Sequence, residues 1–410
     1  MAARPELVSQ SSFVRVSQHM IYFDNAATTF PKPQSVYLAS DRWMREQPAA
    51  FGRGLHSAAV SAAQMVDICR SSICSLLGLD SPRQLAFTLN GTDSLNLILR
   101  GLLCPGDRVV ASTLDHNSVL RPLNELSHRH GVSIELAKFD PLTGLIDVDS
   151  FRTCLNRGRT QLVVINHASN VTGVIQPVAE LAQLARDAGA LVLLDAAQTA
   201  GHIPMDVMSL GVDLLAAPGH KGLMGPLGTG ILWIKQGIEP QVVSLRAGGT
   251  GSASESLMQP ESMPSKFESG NLNLPGIAGL LAGVQWIQDV TPSEICRQIN
   301  RHAGKLRTHL GELSNVLLYP QGCLPETTDT VSTVGIVSFS LNGLESHDVA
   351  MILEQQAGLI CRAGLHCAPL AHEGLGTTQL GGTVRLSPGH FTTEAEVDRA
   401  IEVIGDLARS

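Results

Sequence analysis

"ALVLLD", residues 190–195, is apolar on both faces until it reaches its closing aspartate. Such a strand is typical of a parallel sheet that helices cover on both sides. Helix-like segments at 93–103 and 177–189 carry apolar residues at helical spacing. Short apolar runs lie on either side of the central one: "LAFT" (85–88), "RVVAS" (108–112), "QLVVIN" (161–166), "VDLLAA" (212–217) and "GILWIK" (230–235). The alternation predicts an α/β fold with a mostly parallel, helix-covered sheet.

The pattern changes after about residue 250. Residues 248–276 show little periodicity, and loops of this length in compact proteins are usually functional or disordered. Beyond them, the strand-like runs "TVGIVSFSL" (333–341) and "TVRLS" (383–387) and a final helix with the capping box Thr393–Glu396 predict a smaller α+β unit. We therefore expect three parts: an N-terminal arm (1–20), a large domain (21–285) and a small C-terminal domain (286–410).

Composition excludes several classes of protein. The chain has 410 residues, 44% hydrophobic and 16% charged, as expected for a globular enzyme. Its net charge of −8, without a run of Lys or Arg, argues against a nucleic-acid or anionic-membrane partner. The first twenty residues lack a signal-peptide core, and no stretch reaches the roughly 18 apolar residues of a membrane span. We expect a cytoplasmic protein whose eight cysteines are mostly reduced.

Polar side chains follow the predicted carboxyl ends of five strands, the edge at which such sheets bind ligands. One of them is a lysine set among five glycines and two prolines in "APGHKGLMGPLGTG" (217–230). A lysine there is either a solvated charge or an amine held for chemistry. Together these strand ends supply amide, hydroxyl, imidazole, acid and amine groups: Asn90, Gly91 and Thr92; His116; Asn170; Asp195 and Gln198; His220 and Lys221.

Each group has a use if the ligand is a pyridine aldehyde phosphate. Lys221 can form a Schiff base with the aldehyde, and Asp195 would keep the pyridine nitrogen protonated. Gln198 and Asn170 would hydrogen-bond the ring hydroxyl, and His116 would stack on the ring. The phosphate would lie against the helix N-terminus that begins at Gly91 and Thr92.

Ordinary structural roles compete with this interpretation. Asp195 would serve equally as a helix cap or turn residue, Thr92 could cap its helix, and His116 could be a loop histidine with satisfied hydrogen bonds. The glycine-rich lysine segment could be a hairpin. Each signal is weak alone, and their joint occurrence in one order favours the cofactor site.

Eight motifs occur in order and together resemble the cysteine desulfurase branch of the class V aminotransferases: "YFDNAATTFPKP", "DHNSV", "SNVTG", "LDAAQTAG", "GHKGLMGPLGTG", "FESGNLNLPGIAGL", "GLHCAPLAH" and "TVRLSPG". The resemblance runs from about residue 21 to the end. It implies a fold-type I fold, the cofactor pyridoxal 5'-phosphate, and a homodimer with active sites at the subunit interface. It also implies that Gly270 and Asn271 of "FESGNLN" reach the partner's phosphate site. Two positions depart from the family pattern, Pro218 and Asn271, where hydroxyl residues are usual.

The segment "CRAGLHCAPLAH" (361–372) permits three interpretations. A metal site made of Cys361, His366, Cys367 and His372 fits no common zinc spacing, so we predict no metal. Cys367 could instead be a small buried hydrophobic residue. The third interpretation is a reactive thiolate on a loop, stabilised by imidazole and guanidinium neighbours. The family resemblance favours the third.

The resemblance then implies a cysteine desulfurase. L-Cysteine would be held by Arg385, with Asn25 and Arg362 also in contact with substrate. Lys221 would move the α-proton, His116 would donate a proton, and Cys367 would take the sulfur as a persulfide while L-alanine leaves. The persulfide would pass to a thiol or an acceptor protein, as in iron–sulfur cluster assembly.

Other functions remain open at this point. A selenocysteine lyase, or a lyase that cleaves the C–S bond of cysteine or cystine, would use the same Lys221 and Arg385. A non-catalytic sulfur-relay or scaffold protein of the same fold is the alternative from a different class. Retention of the lysine, Asp195, Gln198, Cys367 and the arginine together argues against a scaffold.

Overall fold

The computed structural model describes residues 20–48, 50–52, 54, 56–252, 255–322 and 332–409, so nearly all of the predicted N-terminal arm (1–20) lies outside the described residues. The strands are β1 (Ile21–Tyr22), β2 (Leu85–Thr88), β3 (Arg108–Ser112), β4 (Ser133–Ala137), β5 (Leu162–Asn166), β6 (Leu191–Asp195), β7 (Leu214–Pro218), β8 (Gly230–Ile234), β9 (Val316–Tyr319), β10 (Val337–Leu341), β11 (Leu359–Ile360), β12 (Arg362–Gly364) and β13 (Thr383–Leu386). The helices are α1 (Gln34–Glu46), α2 (Ser57–Leu77), α3 (Gly91–Leu102), α4 (Asn117–His130), α5 (Val148–Asn156), α6 (Val178–Asp187), α7 (Val207–Leu210), α8 (Leu274–Val290), α9 (Pro292–Gly311), α10 (Ser346–Ala357), α11 (Pro369–Gly374) and α12 (Glu394–Arg409).

Seven strands form the central sheet, in the order β2-β8-β7-β6-β5-β3-β4. Only β8 runs antiparallel to its neighbours in this sheet, and the pairs from β7 across to β4 are parallel. The register pairs Asn166 with Asp195 and Asp195 with Ala216, so the last residues of β5 and β6 lie side by side, next to β7. The predicted mostly parallel α/β sheet is confirmed, and it brings the polar strand ends to one edge.

Apolar side chains fill both faces of this sheet. Trp233 and Leu215 are fully buried in one cluster, and Leu232 and Leu214 are fully buried in another. Neighbouring residues of one strand thus enter opposite cores because successive side chains of a strand point to opposite faces. This is why the central strands contain nearly continuous apolar runs.

The C-terminal part contains an antiparallel sheet of order β12-β13-β10-β9. Strand β1 joins this part through parallel pairing with β11, where Ile21 pairs with Leu359. Phe23 is fully buried in the same apolar cluster as Phe339. The predicted smaller α+β unit is therefore present, and the segment that follows β1 connects it to the central sheet. The exact domain boundaries stay a prediction, since α8 continues through residue 285.

The long loop, the capping box and the cysteines noted in the sequence can also be located in the structure. Residues 243–252 and 255–273 contain no helix or strand. The capping box of α12 is formed, with Thr393 N donating to Glu396 Oε2 at 2.7 Å. Seven cysteines are described and none is in a disulfide, while Cys323 lies outside the described residues. Within the described ranges, no helix combines the length and apolar character needed to cross a membrane.

Candidate active site

A cavity of about 240 Å³ opens where the central strands end. The loops and helices that follow β2, β3, β5, β6 and β7 all contribute to its walls. All nine residues predicted from strand ends line it: Asn90, Gly91, Thr92, His116, Asn170, Asp195, Gln198, His220 and Lys221. The structure therefore gathers residues from five separate segments into one space.

Asp195 is the last residue of β6 and is buried. Its Oδ1 accepts a hydrogen bond from Ala197 N at 3.0 Å. Burial raises the pKa of Asp195, while the Ala197 hydrogen bond and the Lys221 charge oppose that shift. A buried carboxylate with so little compensation is stabilised by a positively charged hydrogen-bond donor, such as a protonated ring nitrogen.

Lys221 follows β7 and lies at the wall of the same cavity. Burial lowers its pKa to about 8, and the nearby Arg385 charge acts in the same direction. Asp195 opposes the shift by stabilising the ammonium form. A lysine with this pKa is partly neutral near physiological pH, which gives the nucleophilic amine that condensation with an aldehyde requires.

Asn170 follows β5 and uses only part of its side chain for the protein. Its Nδ2 donates to the carbonyl oxygen of His366 at 2.6 Å. Its Oδ1 is buried and has no hydrogen-bond partner among the described residues. Because buried polar atoms nearly always have partners, this oxygen fits a hydroxyl donor on a bound ligand.

The N-terminus of α3 forms another wall. Asn90 Oδ1 caps the helix by accepting from Asp93 N at 2.9 Å. Gly91 lies so close to Pro218 that a Cβ atom there would be 3.1 Å from Pro218 Cδ. The partial positive charge of a helix N-terminus favours an anion, so this wall fits a phosphate group. Pro218, which departs from the family pattern, thus packs against the glycine instead of supplying a hydroxyl.

His116 caps the N-terminus of α4 from the cavity wall. Its Nδ1 accepts from Ser118 N at 3.0 Å, which places the ring proton on Nε2. Burial lowers the pKa of His116 to about 4, and the surrounding cations, Lys221 first among them, add to the effect. The ring is therefore neutral at physiological pH, with one N–H available to a ligand.

Cys367 lies beside the cavity in a groove of about 330 Å³. Groove and cavity are adjacent, since Thr92, His116 and Ser118 line both. Arg362 Nη2 is 3.3 Å from Cys367 Sγ, and Asn117 N donates to the Cys367 carbonyl oxygen at 2.7 Å. The predicted guanidinium neighbour is thus present at the sulfur.

The backbone at this cysteine is strained. His366 and Cys367 have φ values of 47° and 59°, a left-handed conformation that is uncommon for residues other than glycine. Strain of this kind persists only where the surrounding structure holds it, and it clusters at functional sites. Here the hydrogen bonds from Asn117 and Asn170 hold the two residues in place.

Arg385 lies in β13 and is 1% exposed. Its Nη1 donates to the Asn170 carbonyl oxygen at 3.0 Å, and its Nη2 donates to Asp24 Oδ1 at 2.7 Å. Its Nε is buried and has no partner in the described part of the chain. Since a guanidinium has five N–H donors, unused donors remain for a substrate carboxylate.

Six predicted residues are not among those that line the cavity: Cys367, Arg362 and Arg385, described above, and Asn25, Gly270 and Asn271. The Asn25 amide is engaged within the protein, where Nδ2 donates to Ser387 O at 3.0 Å and Oδ1 accepts from Phe30 N at 3.1 Å. Asn271 lines a neighbouring cavity of about 60 Å³ that shares Gly228 with the first. Gly270 has a φ of 93°, a conformation that glycine adopts without strain. Their roles in substrate and phosphate binding stay predictions.

Sequence reasoning missed two of the polar side chains that line the cavity, Asn166 and Ser118. Asn166 is the last residue of β5, so the strand-end rule would have found it. Ser118 lies two residues after His116 and is recognisable only once its contact with the ring nitrogen is seen.

The segment 361–372, where the sequence spacing argued against a metal site, has the following surroundings in the structure. Burial raises the pKa of Cys361 to about 12, and His372 Nδ1 lies 2.7 Å from Thr377 Oγ1. Across the described ranges, no group of three or more His, Cys, Asp or Glu residues is arranged to hold a metal ion.

Comparison with known proteins agrees with this geometry. The family model described as aminotransferase class-V matches residues 21–400. A probable cysteine desulfurase of Methanothermobacter thermautotrophicus is 33% identical over 395 residues, which cover 95% of this chain and 94% of that protein. A probable cysteine desulfurase of Pyrococcus abyssi is 32% identical over 409 residues, which cover 97% and 96%.

Solved structures show the same similarity. The apo structure of the cysteine desulfurase from Thermococcus onnurineus NA1 superposes with a TM-score of 0.86 at 32% identity, covering 95% of both chains. The S-sulfonic acid form of the cysteine desulfurase CsdA from Escherichia coli has a TM-score of 0.83 at 26% identity, also covering 95% of both. The chain therefore belongs to the class V aminotransferase family, in the branch that contains the cysteine desulfurases.

Proposed function

We propose that the chain is a pyridoxal phosphate-dependent cysteine desulfurase, which takes sulfur from L-cysteine onto Cys367 and releases L-alanine. The observation that carries this proposal is the wall that the cavity and the groove share, which places a cysteine thiol beside a lysine-containing site. The relatives that cover nearly the whole chain bear the same name.

The cavity residues fit the cofactor. Asp195 would pair with the protonated ring nitrogen, because its buried carboxylate needs a positive partner. The unpartnered Asn170 Oδ1 would accept from the ring hydroxyl, and the α3 N-terminus would bind the phosphate. Gln198 Nε2 already donates to Ala26 O at 3.1 Å, which fixes the side chain at the cavity wall.

When bound, pyridoxal phosphate supplies an electron sink that weakens bonds at the substrate α-carbon. Lys221 would hold the cofactor and then carry the α-proton, since its lowered pKa lets the amine gain and lose a proton near neutrality. Free N–H groups of Arg385 would bind the substrate carboxylate. The neutral His116 would donate its Nε2 proton to the departing product.

The sulfur-transfer step belongs to Cys367. Its sulfur, as the thiolate, would attack the substrate sulfur, forming an S–S bond while the substrate C–S bond breaks. The electron pair of that bond stays with the carbon, which takes up a proton and becomes the methyl group of alanine. Arg362, 3.3 Å from Sγ, would stabilise negative charge on the attacking sulfur.

We also propose how the chain assembles, where it is located and how it divides into domains. We expect a homodimer, supported by exposed apolar side chains at and near the cavity rim and in the long loop: Leu89, Leu227, Leu257 and Met258. Gly270 and Asn271 would then contribute to the partner's phosphate site. We also expect a cytoplasmic location and an acceptor protein that takes the persulfide sulfur. We expect the chain to divide into a large domain (21–285) and a small domain (286–410).

Alanine and sulfur release test the function directly. The protein with pyridoxal phosphate bound is incubated with L-cysteine, and separately with L-selenocysteine, with and without a reductant. We expect alanine from cysteine and one added sulfur atom on the peptide that carries Cys367. Alanine from selenocysteine alone would favour a selenocysteine lyase. Pyruvate in place of alanine would indicate a β-lyase, and no product from either substrate would favour the non-catalytic alternative.

A further inference from the structure

The carbonyl oxygen of His220, next to the lysine of the cavity, is surrounded by hydrogen-bond donors from one short segment. Thr29 N lies at 3.2 Å, Thr28 Oγ1 at 3.1 Å and Thr29 Oγ1 at 3.2 Å. Lys32 Nζ is the fourth donor, at 3.1 Å. Even without the Thr29 hydroxyl, which has a single proton to donate, the other three donors exceed the two lone pairs of a carbonyl oxygen and fix its position.

The same donors reach the next peptide. Thr29 Oγ1 is 3.1 Å from the carbonyl oxygen of Lys221 and accepts from Lys32 Nζ at 2.9 Å. Lys32 thus donates to a hydroxyl that itself donates to one of the two carbonyls. A cation that donates to a hydroxyl polarises it, which strengthens the hydrogen bond that the hydroxyl donates in turn.

Like Lys221, Lys32 differs from the ion-paired lysines of the chain. It is half-buried and forms no ion pair with a carboxylate in the described residues, whereas Lys235, Lys266 and Lys305 each do. Burial lowers the pKa of Lys32 to about 8. Holding an ammonium group out of water with only neutral acceptors costs free energy of folding. This cost indicates that Lys32 has a role other than stabilising the fold.

The segment that contains Lys32 also contacts other residues of the candidate site. Residues 24–32 also supply Asp24, which pairs with Arg385, and Ala26, whose carbonyl oxygen accepts from Gln198. One segment therefore contacts the groups proposed for substrate, cofactor and proton transfer.

We infer that Lys32 is a positioning residue for Lys221. Through the His220 carbonyl and Thr29, it fixes the peptide planes on both sides of the Lys221 Cα atom, and so the direction in which the amine enters the cavity. The inference rests on the proposed function only for its kinetic consequence, since the orientation of Lys221 exists without substrate.

The test compares Lys32→Met, which removes the charge and donors, with Lys32→Arg, which keeps both. Lys235→Met is the control, because Lys235 pairs with Asp213 near the opposite end of the sheet. Misplacing a reacting group by about 1 Å costs on the order of 100-fold in rate. We expect Lys32→Met to lower kcat for L-cysteine by roughly 10- to 100-fold with little change in KM, and Lys32→Arg to restore most of it.

A second readout does not depend on turnover. In the full chain without cofactor, trace acylation followed by peptide mass spectrometry measures the reactivity of the Lys221 amine. We expect that reactivity to change in Lys32→Met and to return in Lys32→Arg. If the wild type releases no alanine, the proposed function fails, and the acylation comparison still decides the role of Lys32.

Three results would overturn the inference. One is an unchanged kcat and unchanged acylation in Lys32→Met. Another is a raised KM with kcat retained, which would make Lys32 a substrate contact. The third is a loss that Lys32→Arg does not restore. If Lys32→Met fails to fold, Thr29→Val removes the hydroxyl while keeping the charge, and the same shifts, smaller in size, are expected.

Discussion

Asn170 Nδ2 donates a hydrogen bond to the carbonyl oxygen of His366 at 2.6 Å, which joins the cavity wall to the residue before Cys367. The other side-chain atom of Asn170, Oδ1, is buried without a partner in the described residues. One amide therefore holds the strained cysteine loop with one atom, while its other atom lacks a partner. Under the proposed function, this side chain would position both the cofactor and the nucleophile.

Replacing Asn170 should affect both sides of this contact. Asn170→Ala leaves the buried His366 carbonyl oxygen without its donor, which costs about 1–3 kcal/mol of the free energy of unfolding. The variant should also bind pyridoxal phosphate more weakly. Urea unfolding and cofactor titration measure the two effects, with the exposed Asn156→Ala as the control. Wild-type stability together with wild-type cofactor affinity would contradict the role given to the amide.

Lys221 should be the only attachment point for the cofactor. Lys221→Ala should lose the visible absorbance of covalently bound pyridoxal phosphate, the adduct that borohydride fixes, and all turnover. The reason is that no other lysine lines the cavity among the described residues. The control Lys235→Ala should keep all three signals. A normal borohydride-fixed adduct in Lys221→Ala would mean that the cofactor is attached elsewhere.

Sequence patterns predicted six of the seven strands of the central sheet and nine residues of its cavity, because both follow from local rules. Strand ends in a parallel sheet share an edge, so Asp195, Asn170 and Lys221 were expected to be close before any contact was known. The strand β4 was missed, since its partly exposed residues at the edge of the sheet give no continuous apolar run.

The contacts that hold the site together were not predictable in this way. Lys32 meets the His220 carbonyl across 188 positions of sequence, and Asp24 meets Arg385 across 361. No local periodicity records such pairs, because they depend on how the segment after β1 crosses from the C-terminal sheet to the central one. The pKa of His116, which burial lowers most, is likewise lowered further by cations from three other segments.

Asp115 should make stability depend on pH. It is fully buried, and burial raises its pKa to about 7 from an ordinary value of 3.8. Between these values the folded chain binds more protons than the unfolded one, so this group lowers the free energy of unfolding as pH rises from about 4 to about 7. Asp115→Asn should flatten that slope in urea unfolding measured across the range. An identical slope in the variant would show that Asp115 is already ionised when folded.

The long loop should mediate dimer formation. Leu257 and Met258 are largely exposed in the single chain, and apolar side chains of this kind usually mark an interface. Leu257→Glu combined with Met258→Glu should weaken the dimer, as measured by light scattering over a range of concentrations. Met351→Glu, on an exposed face of α10, is the matched control. A wild-type monomer with full activity would contradict the proposed assembly.

Cys367 gives the sharpest test of the chemistry. Cys367→Ala should still bind pyridoxal phosphate and L-cysteine, because the cavity and Arg385 are formed by other segments. Desulfuration of cysteine should nevertheless fall by orders of magnitude, since the lost interaction is made only during sulfur transfer. Selenocysteine turnover should survive in part, because selenide leaves with less nucleophilic help. Mass spectrometry should find an added sulfur on the Cys367 peptide of the wild type.

The exposed Cys104→Ala is the control for loss of a thiol and should behave as the wild type. If Cys367→Ala desulfurates cysteine at the wild-type rate, the enzyme eliminates sulfide directly as a lyase does. The strained backbone at His366 and Cys367 would then need another explanation, because the hydrogen bonds that hold it, from Asn117 and Asn170, would be positioning a thiol that the reaction does not use. The rate in this one variant therefore decides whether the groove beside the cavity belongs to the reaction.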